Sequence, residues 1–371
     1  MKNEIKTFFV TLMLFFSIIL LSFGMVSSEE NTITVDNNGD ADFSTIQEAI
    51  SYASPGDTIY VHSGTYYEHL TIDKAITING ENKETTIIDG ENNGIIISVS
   101  AKSSDIVTLS NLTIQNSGST FSSTKFDSGI TNEESSLHLI NNVFTNHEIS
   151  AVMINSGFEV IIKDNLFKNC KMYALQASFI EESQITKNIF RGTGYGIYII
   201  TSHNTEISYN IFESGEEPSF AGLFTFSCDE LMIYLNHFSS GSIGALSIDG
   251  ADGSTIIMEN NFVNSRPFFG KTNLASPFSG MNEMHEFSEK IIGKANTLSE
   301  SAMFSILSKS YGLKSLSTGT SWNSNYYSDW NGRGRYMING VYVFIIKIPF
   351  IVILPWATFD SNPSSEPYQI P

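Results

Sequence analysis

Positively charged side chains are scarce in this sequence of 371 residues. It has 20 Lys and Arg against 39 Asp and Glu, which gives a formal net charge of −19, and it contains only four Arg: Arg191, Arg266, Arg333 and Arg335. Because nucleic-acid binding depends on clustered Lys and Arg, this composition argues against a nucleic acid as a partner. Charged residues make up only 16% of the chain. Uncharged polar groups must therefore keep it soluble, as in many extracellular β-rich proteins.

Cysteine is equally rare. Cys170 and Cys228 are the only two, and two cysteines do not make a disulfide framework. In the repeat described below they lie two coils apart, roughly 10 Å, which exceeds the reach of a disulfide.

The first apolar run is at the N-terminus. Lys2 and Lys6 precede the 17-residue run 7–23, and small residues follow at Val26 and Ser28. This pattern predicts a secretory signal peptide over residues 1–28, cleaved after Ser28. An uncleaved membrane anchor is the alternative, since the run approaches the minimum length of a membrane span. Either way, we expect a secreted or cell-envelope protein.

An Asn-x-Phe motif recurs through the middle of the chain. Its Asn residues, called the anchors here, are separated by 23, 23, 22, 26 and 24 residues: Asn142, Asn165, Asn188, Asn210, Asn236 and Asn260. A Phe follows each anchor by two positions, and an aliphatic residue precedes each by three: Leu139, Ile162, Ile185, Ile207, Ile233 and Ile257. A fixed period of this length is typical of a solenoid, propeller or array.

The segments between anchors are short alternating runs such as "EVIIKD", which indicate strands and turns. We therefore predict a single-stranded, right-handed parallel β-helix of about 23 residues per coil, with about nine coils over residues 58–265. Asn tolerates the left-handed turn conformation and can form side-chain ladders, whereas Phe and Ile would stack inside. A leucine-rich repeat is the rival solenoid, but its spaced Leu signature is missing.

Both ends of such a solenoid need caps. "FSTIQEAISYASPGD" places Ile46, Ala49, Ile50 and Ala53 on one helical face. A capping box of Ser44 and Gln47 is expected to start this helix, and Pro55 and Gly56 to stop it. Residues 29–57 are thus predicted to form an N-terminal strand and capping helix.

The C-terminal residues 266–371 are predicted to form a mixed cap of helices and strands. Residues 266–316 have helical spacing, and "SWNSNYYSDWNG" at 321–332 is typical of a final turn. The apolar run 341–356 contains Lys347, Pro349 and Pro355. A membrane span would rarely tolerate these three residues, so we expect strands that close the open end of the solenoid.

Two stretches resemble a known family. "DADFSTIQEAISYASPGDTIYVHSGTYYEHLTIDKAITINGENKETTIIDG" is similar to the N-terminal cap and first coils of secreted right-handed β-helix proteins, best of all the NosD-like group within the pectate-lyase-like superfamily. "NSNYYSDWNG" resembles the segment that often ends their solenoids. The resemblance covers residues 32–265 and 320–332. It implies the fold, and it suggests a role in the maturation of copper centres.

The resemblance does not imply an enzymatic activity, because this architecture hosts lyases, hydrolases, epimerases, esterases and non-catalytic proteins. Pectin methylesterases open with a similar segment, yet their Asp-Phe-Ile-Phe-Gly signature is absent here. The polygalacturonase motifs are absent as well, and none of the four Arg lies beside an acidic cluster of the kind that pectate lyases use.

Equal positions in successive coils should lie about 5 Å apart. One position before three anchors stand Asp164, Lys187 and Tyr209. These are the candidate catalytic residues of a polysaccharide lyase or epimerase, with Lys187 as the base and Tyr209 as the acid. The alternative is a cross-coil salt bridge beside a phenol.

Two further alignments suggest metals. Glu159 and Glu182, six positions before their anchors, would be adjacent and could bind Ca²⁺. His147 and Cys170 fall in neighbouring coils and could share copper, as could Met281, Met284 and His285 in "MNEMH". Ordinary core residues and a solvated acidic turn explain the same patterns, so no cofactor is required.

Three functions remain open. The first is a non-catalytic, carbohydrate-binding or structural, adhesive surface protein, monomeric and directed at an extracellular or envelope polysaccharide. The second is a polysaccharide lyase or epimerase acting on uronate-containing glycans. The third is a NosD-like factor for copper centres. The missing catalytic signatures favour the first, and the acidic charge disfavours an anionic substrate.

Overall fold

The computed structural model describes residues 31–121, 126–213, 215, 221–239, 244–249, 255–265, 267–272, 321–327, 336–347, 350–360 and 362–370. The predicted signal peptide, most of the segment 266–316 in which helices are expected, and Met281, Met284 and His285 lie outside these residues. Within the described residues, no helix is long and apolar enough to cross a membrane.

The chain winds through three parallel sheets, A, B and C, and each coil contributes strands to them in that order. The strands of sheet A are β1 (Thr32–Val35), β2 (Thr58–Val61), β5 (Thr77–Gly80), β8 (Ile106–Ser110), β11 (Ser136–Ile140), β14 (Gly157–Phe158), β15 (Ile161–Lys163), β18 (Ile180–Thr186), β21 (His203–Ser208), β24 (Met232–Tyr234), β27 (Ile256–Met258) and β30 (Ser321–Asn323).

The strands of sheet B are β3 (Gly64–Tyr66), β6 (Thr86–Asp89), β9 (Thr113–Gln115), β12 (Val143–His147), β16 (Leu166–Cys170), β19 (Ile189–Arg191), β22 (Ile211–Glu213), β25 (His237–Phe238), β28 (Asn261–Phe262) and β31 (Tyr326–Tyr327). The strands of sheet C are β4 (Leu70–Ile72), β7 (Ile97–Val99), β10 (Ser128–Asn132), β13 (Ser150–Ile154), β17 (Tyr173–Ser178), β20 (Tyr195–Ile200), β23 (Ala221–Phe226), β26 (Gly244–Asp249), β29 (Pro267–Thr272), β32 (Tyr336–Lys347) and β33 (Phe350–Asp360). The predicted β-solenoid, with about nine coils of about 23 residues, is confirmed.

Equal positions in successive coils stack in the core. The aliphatic column of the repeat, which includes Ile162, Ile185 and Ile207, pairs in register through sheet A and is fully buried. The aromatic column forms a nearly parallel stack in sheet B, with ring centroids 4.7–5.0 Å apart from Phe144 to Phe262. Each buried side chain of this size contributes roughly 1.5–3 kcal/mol, so the two columns contribute substantially to the stability of the fold.

The anchor Asn residues form a buried ladder with a fixed polarity. The Asn188 side-chain oxygen accepts from the backbone N–H and the side-chain amide of Asn165, each at 3.0 Å. The Asn188 amide donates in turn to the carbonyl of Ile162 at 2.8 Å and to the next anchor, Asn210, at 3.0 Å. Every rung therefore needs an acceptor in the following coil.

The ladder ends on a carboxylate. After Asn325, the last rung, Oδ2 of Asp360 accepts from the Asn325 N–H and side-chain amide at 3.0 Å, and from the Tyr327 hydroxyl at 3.3 Å. Tyr327 is also the last ring of the aromatic stack, 5.2 Å from Phe262. A carboxylate is an acceptor without donors of its own, so Asp360 terminates both columns.

The expected left-handed conformation is displaced by one position. At this turn, positive φ belongs to the residue directly before each anchor: Asn141, Asp164, Lys187, Tyr209, Leu235 and Glu259, with φ between 54° and 59°. The anchors themselves do not have positive φ. The chain turns at the preceding residue, and this turn points the amide of the anchor inward.

A helix, α1, spans Ile46–Tyr52 and buries Ile46, Ala49 and Ile50, and Ala53 is buried as well. The predicted capping box is wrong, because Thr45 is the N-cap and its hydroxyl accepts from the Glu48 N–H. The predicted partner Gln47 instead uses its side chain to bond the backbone of Thr71, accepting from its N–H at 2.8 Å. A contact with the strand that contains Thr71 thus occupies the Gln47 side chain, which is not available for a capping box.

Strand stacking continues beyond Ser265, the predicted end of the β-helix. Residues 267–272, predicted to belong to a helical segment, instead form strand β29, because they pair in register with β26. Strands β30 and β31 stack on β27 and β28, as expected for a final turn. The described parts of the apolar run 341–356, residues 341–347 and 350–356, lie in strands, as predicted, within the antiparallel pair of β32 and β33. The chain then returns along the last coil, where the Tyr368 N–H donates to Asn261 Oδ1 at 2.7 Å.

Candidate functional site

Asp164, Lys187 and Tyr209 lie at the corner where each coil passes from sheet A to sheet B. Backbone hydrogen bonds join successive coils at this corner: the Lys187 N–H donates to the Ser208 carbonyl at 3.1 Å, and Ser208 is the residue before Tyr209. The predicted column is therefore real. Its physical basis is the left-handed turn, since all three residues have φ of 57–59°.

This column does not form a compact catalytic centre. Asp164 and Lys187 are exposed and Tyr209 is half-buried. Among the ion pairs of the described residues, none joins Asp164 to Lys187, so the alternative salt bridge is not formed either. Burial or a neighbouring cation activates a lysine as a base, and Lys187 is solvated.

A hydrogen-bonded group lies next to Tyr209 on the outer face of sheet A. We name Glu206, Ser208, Tyr209 and Tyr234 the Tyr234 cluster. The Tyr234 hydroxyl donates to Glu206 Oε1 at 2.5 Å, and the Ser208 hydroxyl donates to the same oxygen at 2.6 Å. The rings of Tyr209 and Tyr234 meet edge to face at 5.9 Å and 74°. Two aromatic rings and one oriented carboxylate thus converge on a half-exposed surface.

Strand register builds this cluster. Ser208 pairs with Tyr234 across β21 and β24, while Ile207 and Ile233 between them point into the core. Burial, together with the hydrogen bond to the Glu206 carboxylate, raises the pKa of Tyr234, so this phenol remains a donor at neutral pH. The sequence interpretation missed this cluster, although counting two and four positions back from the anchors would have aligned Tyr234 with Ser208 and placed Glu206 beside them.

Glu159 and Glu182 occupy equal positions in adjacent coils at the start of sheet A, close to the corner where each coil arrives from sheet C. Both have positive φ and both are exposed. Within the part of the chain that the structure describes, no group of three or more His, Cys, Asp or Glu is arranged to hold a metal. A calcium ion would therefore have only this solvated carboxylate pair, which is a weak ligand set.

His147 and Cys170 are direct neighbours in sheet B, as the repeat predicted. Both are buried. His147 Nδ1 lies 2.9 Å from the Ser117 hydroxyl, and its Nε2 lies 3.1 Å from the Ile114 carbonyl. Because a carbonyl only accepts, Nε2 carries the proton and Nδ1 accepts from Ser117. Burial lowers the pKa of His147 to about 4.

These two residues do not fit a copper ion. Both ring nitrogens of His147 already bond protein groups. Burial raises the pKa of the Cys170 thiol, which donates to the Lys168 carbonyl at 3.5 Å, whereas the ligand form of cysteine is the thiolate. Cys228, also free and buried, lies at a different corner, and burial raises its pKa to about 12.

The described residues define a parallel β-helix repeat protein with polar, hydrogen-bonded outer faces. A family model described as "Periplasmic copper-binding protein (NosD)" matches residues 50–250. Since that match covers more than half of the chain, the protein belongs to the NosD family. Among curated proteins, none matches this chain.

Several solved structures have a similar fold. The PL6 family alginate lyase AlyGC is 16% identical with a TM-score of 0.47, and the match covers 68% of this chain and 38% of the lyase. The GH136 lacto-N-biosidase from Eubacterium ramulus is 11% identical with a TM-score of 0.41, covering 66% of this chain and 64% of that one. Pectin methylesterase from carrot is 14% identical with a TM-score of 0.33, covering 64% and 81%. These likenesses concern the fold alone.

Proposed function

We propose that this protein is a non-catalytic carbohydrate-binding β-helix, secreted or held in the cell envelope, and that it acts as a monomer on a polysaccharide. The Tyr234 cluster carries the proposal. Its rings offer apolar faces to the C–H side of a sugar, and its carboxylate offers an acceptor for sugar hydroxyls. Because protein hydrogen bonds orient these groups in advance, binding costs little ordering entropy.

The charge of the site favours a neutral or amino sugar. Glu206 uses one oxygen for Tyr234 and Ser208, and the chain carries a net charge of −19. Both features repel a uronate chain. Glu206 would attract a protonated amine or accept from neutral hydroxyls.

The positions of the candidate catalytic residues favour a binding function over catalysis. A lyase needs a base and an acid within hydrogen-bond reach of one sugar carbon. Asp164 and Lys187 are instead exposed turn residues in successive coils, and the phenol of Tyr209 faces the Tyr234 ring.

The test is a binding and turnover panel with the purified protein on neutral, amino and uronate polysaccharides, with and without Ca²⁺. We expect retention on a neutral or amino glycan and no unsaturated product. Tyr234→Ala should weaken this binding by at least tenfold. Tyr67→Ala, which removes another exposed tyrosine, should leave it unchanged.

Two results would overturn the proposal. Unsaturated product that disappears in Lys187→Ala would establish a lyase at the corner between sheets A and B. Equal losses in Tyr234→Ala and Tyr67→Ala, with both variants folded, would exclude the Tyr234 cluster as the site.

A further inference from the structure

Two exposed phenylalanines mark one corner of the solenoid. Among the residues whose side-chain exposure the structure describes, Phe158 and Phe179 are the only Phe with large exposure, 47% and 59%. Both lie where coils pass from sheet C to sheet A. They belong to adjacent coils, because Gly157 and Phe158 pair with Ile180 and Glu181. Two exposed aromatic side chains in adjacent coils are unusual on a surface that faces water, and they indicate a contact site for another molecule.

The backbone at Phe179 strengthens this interpretation. Its φ is 50°, a left-handed conformation that is costly for a bulky side chain and that Asn or Gly adopts with less strain. Phe179 therefore carries two costs at once, solvent exposure and backbone strain. The same turn position is left-handed in the next two coils, at Thr201 and Ser227, with φ of 46° and 52°. What distinguishes Phe179 is therefore a large apolar side chain at a position where the fold requires this conformation.

Carboxylates surround the two rings. In successive coils Phe158, Glu181, His203 and Asp229 form one column. Glu159, Glu182, Asn204 and Glu230 occupy the left-handed positions beside it. The turns 133–135, 155–159, 178–182, 201–204 and 227–230 contain neither Lys nor Arg.

His203 is the one basic group in these turns, and the carboxylates already engage it. Its Nδ1 lies 2.8 Å from Asp229 and its Nε2 lies 3.3 Å from Glu230. A hydrogen bond to Asp229 raises the pKa of His203. The corner thus remains acidic, and a cation that neutralises the remaining carboxylates has to come from outside it.

We infer that this Phe158–Phe179 corner is a docking surface for a basic segment of another protein that carries apolar side chains. Charge complementarity requires a positively charged partner, since a nucleic acid, an anionic lipid or a uronate chain would be repelled. The two exposed rings require apolar side chains in that partner. The four coils of the column span about 14 Å, which is the length of four or five residues in an extended peptide.

The experiment measures binding of the full-length protein to three synthetic peptides by fluorescence anisotropy. The first alternates Lys with Leu, the second alternates Lys with Ser, and the third alternates Glu with Leu. We expect the Lys–Leu peptide to bind at least tenfold more tightly than the Lys–Ser peptide, and the Glu–Leu peptide not to bind.

Two variant pairs locate the surface. Phe158→Ser with Phe179→Asn, which leaves the net charge unchanged and suits the left-handed backbone at 179, should weaken Lys–Leu binding at least tenfold. The matched control Tyr52→Ser with Tyr67→Ser removes two other exposed aromatics and should change it less than twofold. Glu159→Gln with Glu182→Gln should weaken binding more than Asp40→Asn with Glu84→Gln, which removes two exposed charges elsewhere.

Three results would overturn the inference. One is equal affinity for the Lys–Leu and Lys–Ser peptides, which would indicate diffuse charge attraction alone. Another is equal effects of the corner variants and their controls. The third is preferential binding of the Glu–Leu peptide. Thermal unfolding of each variant checks that it is folded, and substitution at these exposed positions is expected to preserve the midpoint.

Discussion

His147 is a core histidine, with each ring nitrogen bonded to a protein group. Its burial favours the neutral ring, so the pKa of His147 falls from 6.5 in the unfolded chain to about 4 in the fold. Between these two values the unfolded state binds the extra proton. The histidine therefore contributes stability above pH 6.5, and that contribution is lost as the pH falls towards about 4.

This pH dependence can be measured against His147→Gln. Over the window from pH 6.5 to about 4, the protein should lose on the order of 3 kcal/mol more unfolding free energy than the variant. Urea unfolding at several pH values gives both curves, and the many carboxylates titrate equally in each. Parallel curves would mean that His147 is not held neutral in the core.

At the scale of elements, the Asn ladder is a directed chain of hydrogen bonds. Each rung accepts from the rung before it and donates to the rung after it, and only the final position needs no donor. Asn is thus suited to every interior rung and Asp to the end. Asp360, far from the repeat in sequence, is supplied by the last strand, β33, so the C-terminal strands complete the ladder as well as sheet C.

Substituting Asp for an interior Asn, and Asn for the terminal Asp, should reveal the direction of hydrogen bonding along the ladder. Asn188→Asp places a carboxylate against the carbonyls of Ile162 and Thr186, which now accept at 2.8 and 3.1 Å. It should lower the unfolding free energy by roughly 3 kcal/mol or more. Asp360→Asn keeps an acceptor for Asn325 and should cost only about 1 kcal/mol.

The control is Asp164→Asn, an exposed change that should remain within about 0.5 kcal/mol of the parent. Chemical denaturation measures all three variants. Should Asp360→Asn be as damaging as Asn188→Asp, the terminator would depend on its charge rather than on its lack of donors.

At the scale of the whole molecule, the stacking of coils brings like charges together as well as apolar side chains. When one residue type is repeated at the same turn position, its copies in successive coils lie about 4.8 Å apart, as Glu159 and Glu182 do. The net charge of −19 is therefore concentrated in part along columns. Added salt screens such repulsion between exposed groups.

We accordingly expect the thermal midpoint to rise as NaCl increases from about 0.02 M to about 0.5 M. Glu182→Gln should show a smaller rise, because it removes one stacked carboxylate. A midpoint that falls with salt would indicate instead that surface ion pairs such as Arg191–Glu213, 2.7 Å apart, dominate the electrostatics.

The sequence alone determined the solenoid, because a repeat of about 23 residues aligns its own columns. Knowing the period was enough to bring His147 beside Cys170 and Glu159 beside Glu182. The apolar run after residue 340 was also correctly assigned to strands, since Lys and Pro interrupt it. These inferences depend only on distance along the chain.

Tertiary structure decided what those alignments mean. The spacing of a repeat does not determine where a side chain points, how deeply it is buried or which groups it hydrogen-bonds. His147 and Cys170 are buried and bonded to protein groups, and Asp164, Lys187 and Tyr209 are turn residues with left-handed backbones. Asp360 reaches the Asn ladder from a strand outside the repeat, and Glu68 supports the first turn of α1 from 22 residues away, accepting from the Ile46 N–H at 2.9 Å. Contacts between segments that share no repeat position require the folded chain, because no spacing along the sequence relates them.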